Sequence, residues 1–291
     1  MSPYCYANKK IIKLVDTKIM VNDLAVLRGY GVFDFARIYN STPFHLEDHF
    51  VRFSQSAQML GLKVPVTLET VLKATKSLLE KNKLKDASIR LVLTGGASAD
   101  GISLGQPQFF ILMDKLTDFP AEVFTRGAKL IVCEHERPLA EAKHNNYVVA
   151  VSLQTKRERA GAVEILYTSQ GKILECAMSN FGIFKGDTLI TPKNDILAGV
   201  TRKVVLKLAR KKFIVEEREL LVSELADADE AFLTATNKYV VPIVKVGKQV
   251  IGNGKPGPHT KWLLAEFKKE IARICYKPVL RPSSVAKRTW Y

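Results

Sequence analysis

Apolar and polar positions change period repeatedly along the chain, and each change marks an element. IIKLVD (11–16) and KIMVND (18–23) read as short strands. GVFDFARIYNSTPFHL is a stronger strand–turn–strand pattern, with the turn at Asn40-Ser41-Thr42-Pro43. The period then lengthens. HLEDHFVRFSQSAQMLGL puts Phe50, Phe53, Ala57 and Leu60 near one helical face and stops at Gly61. TLETVLKATKSLLEKNKL predicts a second helix, with Thr67 and Thr70 as candidate caps and Val71, Leu72, Leu78 and Leu79 facing the core. ASIRLVLTGG and QPQFFILMDKL return to strand.

The polar stretch TDFPAEVFTRGAK (117–129), with its proline and glycine, is the best candidate for a domain boundary. Strand patterns dominate beyond it: AKLIVCEH, GAVEILYTSQGKILECA, NFGIFKGDTLITP and KKFIVEEREL, with SQGK and KGDT as hairpin turns. TRKVVLKLARK and TKWLLAEFKKEIARI are helices. The chain therefore reads as α+β, in two domains. Residues 1–117 form the first, 118–129 an interdomain loop, and 130–291 the second, richer in strand.

Composition narrows the class. The 291 residues are 47% apolar and 25% charged, an ordinary globular profile. No run of 18 apolar residues predicts a membrane span. The N-terminal residues lack the continuous apolar segment of a secretion signal. The four cysteines (Cys5, Cys133, Cys176, Cys275) have neither metal-ligand nor redox spacing, which fits reduced thiols in a cytoplasm. A net charge of +15 favours anionic partners. Local clusters stand at KRER (156–159), RKK (210–212) and RPSSVAKR near the C-terminus. Aromatic residues do not interleave with them as a stacking platform for nucleic acid requires. Small anionic molecules are the better match.

Four features carry candidate chemistry, and each has a plainer reading. GVTRKVVLKLARK (199–211) opens a helix, whose N-terminal amides and dipole suit an anion; Thr201 could instead be a simple cap. FLTATN (232–237) ends a strand in hydroxyls, with Thr234 and Thr236 on one side; this could be phosphate coordination or only a strand end. Glu175 interrupts the apolar run ILECAMSNFGIF, and a buried carboxylate needs a partner: a protonated ring nitrogen or a basic side chain. Lys143, in EAKHNNYVV, precedes the β-branched run VVAV, read as a buried strand. It either snorkels or has its pKa lowered, and a neutral amine can form a Schiff base. Together the four meet the demands of pyridoxal 5′-phosphate.

In chain order these residues resemble the fold-type IV pyridoxal-phosphate enzymes, which comprise branched-chain aminotransferases, D-amino-acid aminotransferases and aminodeoxychorismate lyases. RGYGVFDFARIY (28–39) with PFHLEDHFVRF (43–53), AKHNNY, LECAMSNFGIF, ILAGVTR, and FLTATNKYVVPIVKVGKQVIGNGKPGP carry the resemblance along nearly the whole chain. It implies a smaller N-terminal α/β sandwich and a larger C-terminal domain with a β-barrel-like core. It places Arg52, Gly199, Val200, Thr201 and Thr236 on the cofactor phosphate, Lys143 on the Schiff base, and Glu175 at the pyridine nitrogen, with Ser179 and Asn180 nearby. Tyr147 becomes a candidate contact to the ring hydroxyl. Asp34 stands where the family usually has Glu. Strand alternation turns it away from Phe33, Phe35 and Arg37, so little effect on the cofactor is expected. TGGASADGIS (94–103) lacks the arginine common in D-amino-acid enzymes. Arg37 and Arg90 are candidates for the substrate carboxylate, with Phe33 and Phe35 as apolar wall. The resemblance implies transfer of an amino group between an amino acid, branched-chain favoured, and a 2-oxo acid such as 2-oxoglutarate, in a homodimer with its cleft between the domains. Pyruvate release by the lyase reaction and D-amino-acid transamination are the alternatives.

Overall fold

The computed structural model describes residues 1–276, so the basic cluster RPSSVAKR lies outside the described residues. The first third folds into a six-stranded sheet: β1 (Tyr4–Ala7), β2 (Lys10–Lys13), β3 (Gly31–Tyr39), β4 (Thr42–Pro43), β5 (Ala87–Thr94) and β6 (Phe109–Lys115), in the order β2-β1-β6-β5-β3-β4. After the one-turn α1 (Leu24–Leu27) come α2 (Leu46–Met59) and α3 (Leu68–Asn82). Phe53 and Ala57 of α2 and Val71 and Leu78 of α3 pack against Val32, Ala36 and Ile38 of β3. The even-numbered side chains of β3 thus face the helices and the odd-numbered ones face the other way.

Residues 128–250 build a second, ten-stranded sheet that curls into a half-barrel. Its strands are β7 (Ala128–Glu134), β8 (Glu164–Ser169), β9 (Lys172–Cys176), β10 (Asn180–Lys185), β11 (Thr188–Thr191), β12 (Ile214–Glu217), β13 (Leu220–Leu221), β14 (Glu230–Ala235), β15 (Tyr239–Val246) and β16 (Gln249–Val250). The order is β12-β11-β10-β14-β15-β7-β8-β9-β13, with β16 on β15. The hairpin at Gln170-Gly171 has φ of 51° and 78°, the paired positive φ of a tight turn between twisted strands. Helices α7 (Val200–Ala209) and α8 (Pro258–Cys275) cover the sheet through Val204, Val205, Leu208, Leu263 and Phe267. Glu230 reaches from β14 to accept bonds from the His259 and Thr260 amides, at 2.9 and 2.8 Å, in the first turn of α8.

Several expectations are corrected. KIMVND forms no strand, only an isolated bridge at Asp23, and IIKLVD ends in a 3₁₀ turn at Leu14–Asp16. The stretch between the sheets holds a helix, α4 (Ala121–Arg126), not loop alone. Leu72 of α3 is exposed. VVAV is helical: α5 (Val148–Ser152) runs on into α6 (Gln154–Arg159), which carries KRER. Ala150 of α5 packs with Ile165 and Tyr167 of β8.

Candidate active site

A cavity of about 490 Å³ takes its lining from both sheets. Lys143 stands on its wall, on the segment between β7 and α5. That segment is bound to the start of β3. The Asn145 amide donates to Gly31 O (2.9 Å), the Phe33 amide donates to Lys143 O (3.0 Å), and the Lys143 amide donates to Ser56 Oγ of α2 (3.0 Å). Gly31 makes the approach possible, since a Cβ there would lie 2.7 Å from Asn145 Nδ2 and 2.6 Å from Leu93 O. The Lys143 ammonium lies 4.7 Å from the centroid of the Phe33 ring. Desolvation first, then the neighbouring Arg52, lowers its pKa to about 8, against the opposing pull of Asp34 and Glu175.

Glu175, 5% exposed, forms the next wall. Its Oε2 accepts from the Leu197 amide at 3.0 Å, and its Oε1 accepts from Arg137 Nε and Nη2 at 2.9 and 2.7 Å. Arg137 also donates to the carbonyls of Ala140 and Ala142, directly before Lys143. One guanidinium thus ties the carboxylate to the lysine's loop. Burial raises the Glu175 pKa, and Arg137 opposes that rise. Sequence reading missed Arg137. The signal was the buried glutamate, which needed a cation. Beneath Glu175, Ser179 Oγ donates at 3.0 Å to the fully buried Glu164, whose ion-pair partner is the buried Lys238.

The far end is built for an anion. α7 begins at Gly199 with no side-chain cap, so the amides of its first turn have no partner within the helix. Thr201 is therefore not the cap; its Oγ1 lies 3.5 Å from Thr236 Oγ1. A Cβ at residue 199 would lie 1.9 Å from Asn180 Oδ1, and the Asn180 amide nitrogen donates to Leu197 O at 2.8 Å. Glycine is what lets the turn pack on Asn180. Arg52 closes this end, donating to Ala198 O at 3.2 Å.

Arg52 is itself held from behind by Asp34. Alternation does turn Asp34 from the Phe33 face, but it turns it onto α2, where it is fully buried. Asp34 accepts from Arg52 Nε and Nη2, both at 2.8 Å, and lies 2.7 Å from His49 Nδ1. Burial alone would raise its pKa. Arg52 and His49 outweigh burial and hold the carboxyl well below the usual range. Asp34 is the anchor that aims Arg52.

Phe33, Phe35, Arg90 and Tyr147 complete the lining, with Ser179, Asn180, Gly199, Val200, Thr201 and Thr236. The Phe33 and Tyr147 rings pack at 5.6 Å. The Arg90 guanidinium lies 5.9 Å from the centroids of both Phe33 and Phe35. Arg37 is absent from this lining and stands in a neighbouring cavity beyond Phe35.

Residues 31–246 match the family described as amino-transferase class IV. The chain is 33% identical over 274 residues to a putative branched-chain-amino-acid aminotransferase of Methanocaldococcus jannaschii, covering 90% of this chain and 94% of that one. It is 28% identical over 287 residues to a D-alanine aminotransferase of Listeria innocua, covering 92% and 96%. The crystal structure of the branched-chain amino acid aminotransferase of Escherichia coli superposes with a TM-score of 0.86 at 25% identity, covering 92% of this chain and 94% of that one.

Class IV aminotransferases depend on pyridoxal phosphate. The cavity fits that group. It offers an amine of lowered pKa, a buried carboxylate, and an anion end built from Arg52, two hydroxyls and a helix N-terminus. Thr234 Oγ1, on the same wall, is buried without a partner among the described residues.

Two outcomes follow from this geometry. Asp34→Asn removes the charge that pairs Arg52 in a buried site, at an expected stability cost of about 3–5 kcal/mol. Equilibrium titration should show pyridoxal phosphate bound at least about tenfold more weakly; unchanged affinity would sever Asp34 from Arg52's role. The second concerns the amine. Because the Lys143 pKa is lowered, its reactive neutral form dominates above about 8. Covalent capture of pyridoxal phosphate by the apoprotein, followed by absorbance, should rise with pH through a midpoint near 8. A midpoint above 10, as for an ordinary lysine, would contradict the assignment.

Proposed function

The chain belongs to the class IV aminotransferases, and on that premise we propose that it moves the amino group of a branched-chain amino acid to a 2-oxo acid such as 2-oxoglutarate. One observation carries this reading. The substrate side of the chamber is an apolar wall of Phe33, Phe35, Val92 and Leu112 with a single cation, Arg90. Such a wall suits a branched aliphatic side chain, and the arginine can take a carboxylate of the acceptor.

Bound pyridoxal phosphate supplies a carbonyl carbon that takes the amino group and a protonated ring that draws electrons from the α-carbon. The chain's own residues do the rest. Lys143 carries the amine that holds the cofactor. Once displaced by the substrate's amine, it moves a proton at the substrate α-carbon as general base and then acid. Glu175 would hold the proton on the ring nitrogen, and Arg137, with two bonds to its carboxylate, keeps it aimed. Arg52, Thr201, Thr236 and the first turn of α7 grip the phosphate so that the ring holds its position. Tyr147 packs at a tilt against Phe33 beside the amine and limits water there.

The working unit in this reading is a cytoplasmic homodimer. Support comes from exposed Val148 and Val151, which line a groove with Arg28 and Gly29 beside the chamber, and from exposed Val26 and Leu27. Four free cysteines fit a reducing compartment. Among the described residues no helix is long and apolar enough to cross a membrane.

Purified holoenzyme should consume L-leucine only when a 2-oxo acid is present, and Lys143→Ala should lose at least about 1,000-fold in kcat. Preference for D-alanine would reassign the stereochemistry. Release of pyruvate from aminodeoxychorismate with no amino acceptor would replace the transferase with the lyase. Light scattering should give twice the chain mass, and Val148→Glu with Val151→Glu should give the monomer mass; a native monomer would refute the dimer.

A further inference from the structure

The sheet face that floors the chamber is laid out in rungs. Antiparallel register sets Phe33 opposite Val92, Phe35 opposite Arg90, and Arg37 opposite Ser88. On the next strand Val92 meets Phe110, Arg90 meets Leu112, and Ser88 meets Asp114. Residues paired in register share a face. The main cavity lies over the first two rungs. A second cavity, of about 530 Å³, lies over the third, where Arg37, Ser88 and Asp114 contribute to its lining. Ser88 is the reason for the space, because a small side chain stands between two long ones.

Two residues line both cavities, Phe35 and Asn237. Phe35 is the partition on the sheet side. What it closes off is cationic. Arg37, 2% exposed, donates to Thr117 O at 2.6 Å and to Tyr39 Oη at 3.4 Å, and stacks 4.8 Å from the Tyr239 ring. Among the described residues its one carboxylate neighbour is Asp118, 3.7 Å away. Its Nε is buried with no partner among the described residues. Lys115 also lines the cavity, and Asp114 there already pairs with the N-terminal amine at 3.3 Å. A buried guanidinium with an unsatisfied donor beside a ligand-sized space is chemistry for a carboxylate.

We propose that Phe35 is the specificity-determining residue of this active site: it confines substrates to the apolar chamber and Arg90, and denies long dicarboxylic acids the Arg37 cavity behind it. The inference rests on the chamber being the substrate site, as proposed above. It says why a chain with two arginines on adjacent rungs of one sheet face presents only one of them to the chamber. Removing the Phe35 ring joins the two cavities and places the free Arg37 donor at the far end of a longer slot. A second carboxylate then has a partner there. A branched aliphatic end gains nothing from it.

Binding of non-reacting acids to the pyridoxal-phosphate-loaded enzyme tests this without any turnover. The probes are 4-methylpentanoate and hexanedioate, measured by calorimetry in the native protein and in Phe35→Ala. Native protein should favour 4-methylpentanoate. Phe35→Ala should bind hexanedioate at least about tenfold more tightly than native protein does, and 4-methylpentanoate more weakly, because the branched acid loses part of its apolar wall and gains no partner in the opened cavity. That gain should vanish in Phe35→Ala/Arg37→Gln. If the second substitution unfolds the chain, Phe35→Ala/Ser88→Leu fills the cavity with Arg37 intact and should abolish the gain equally. Equal changes for both acids, or a gain that survives both double variants, overturns the proposal. Native enzyme that fails to transaminate leucine but shows the predicted binding pattern would refute the substrate reading and leave the partition standing.

Discussion

The site depends on the pairing of Glu175 with Arg137. A carboxylate at 5% exposure is costly to keep ionised, and Glu175 must be an anion to face a protonated ring. Arg137 meets that cost with two bonds to one oxygen, which leaves the other to the Leu197 amide. The same guanidinium holds the carbonyls of Ala140 and Ala142. The carboxylate and the lysine are therefore fixed to each other through one rigid planar group. Among the described residues Lys143 makes no ion pair; Asp34 and Glu175 act on it only from a distance, so desolvation and Arg52 win and its pKa falls.

Asp34 with Arg52 repeats the device at the other end. In each case a cation that serves the chamber is aimed by a buried carboxylate, or a carboxylate by a buried cation: Asp34 does so from outside the lining and Arg137 from within it. Such pairs contribute little net stability against well-packed apolar residues. Their value is geometric: the charged atoms that would meet a phosphate or a ring are already oriented, so little reorganisation remains when the ligand arrives. Glu164 with Lys238, behind Ser179, extends the pattern into the half-barrel.

Much of this was legible in the sequence, and the limits have physical causes. Gly199, Thr201 and Thr236 could be read because a helix N-terminus and a strand end expose backbone chemistry that local residue type announces. Lys143 and Glu175 could be read because each was expensive where the apolar pattern put it. Arg137 could not, since any of 44 basic residues could have answered Glu175 and only the fold chooses. Asp34 was half legible: alternation gave its direction, but not that His49 and Arg52 of α2 wait on that side. VVAV misled for a related reason. Its β-branched residues favour a strand. The preceding residues, however, are already committed to the edge of β3, and Ala150 finds its packing on β8 only from a helix. Tertiary context overrode local propensity there.

The division between the two sheets bears on what the chain can become. Of the groups that would grip the cofactor, all but Arg52 come from the half-barrel and the segments around it. The substrate wall comes from the odd-numbered positions of β3 and their partners on β5 and β6. A side chain on that wall can change size or charge without touching Glu175, Arg137 or the turn at Gly199. Asp34 is the exception, because it lies on the same strand as Phe33 and Phe35 and faces the opposite way. In the proposed reading one strand therefore carries both functions: its even side holds Arg52 toward the site for the phosphate, and its odd side forms the wall for the substrate. A shift of register by one residue would exchange the two faces and destroy both, while substitution on the odd face alone leaves the cofactor frame intact. Relatives named as differently as a putative branched-chain-amino-acid aminotransferase and a D-alanine aminotransferase, at 33% and 28% identity, are what a fold partitioned this way permits.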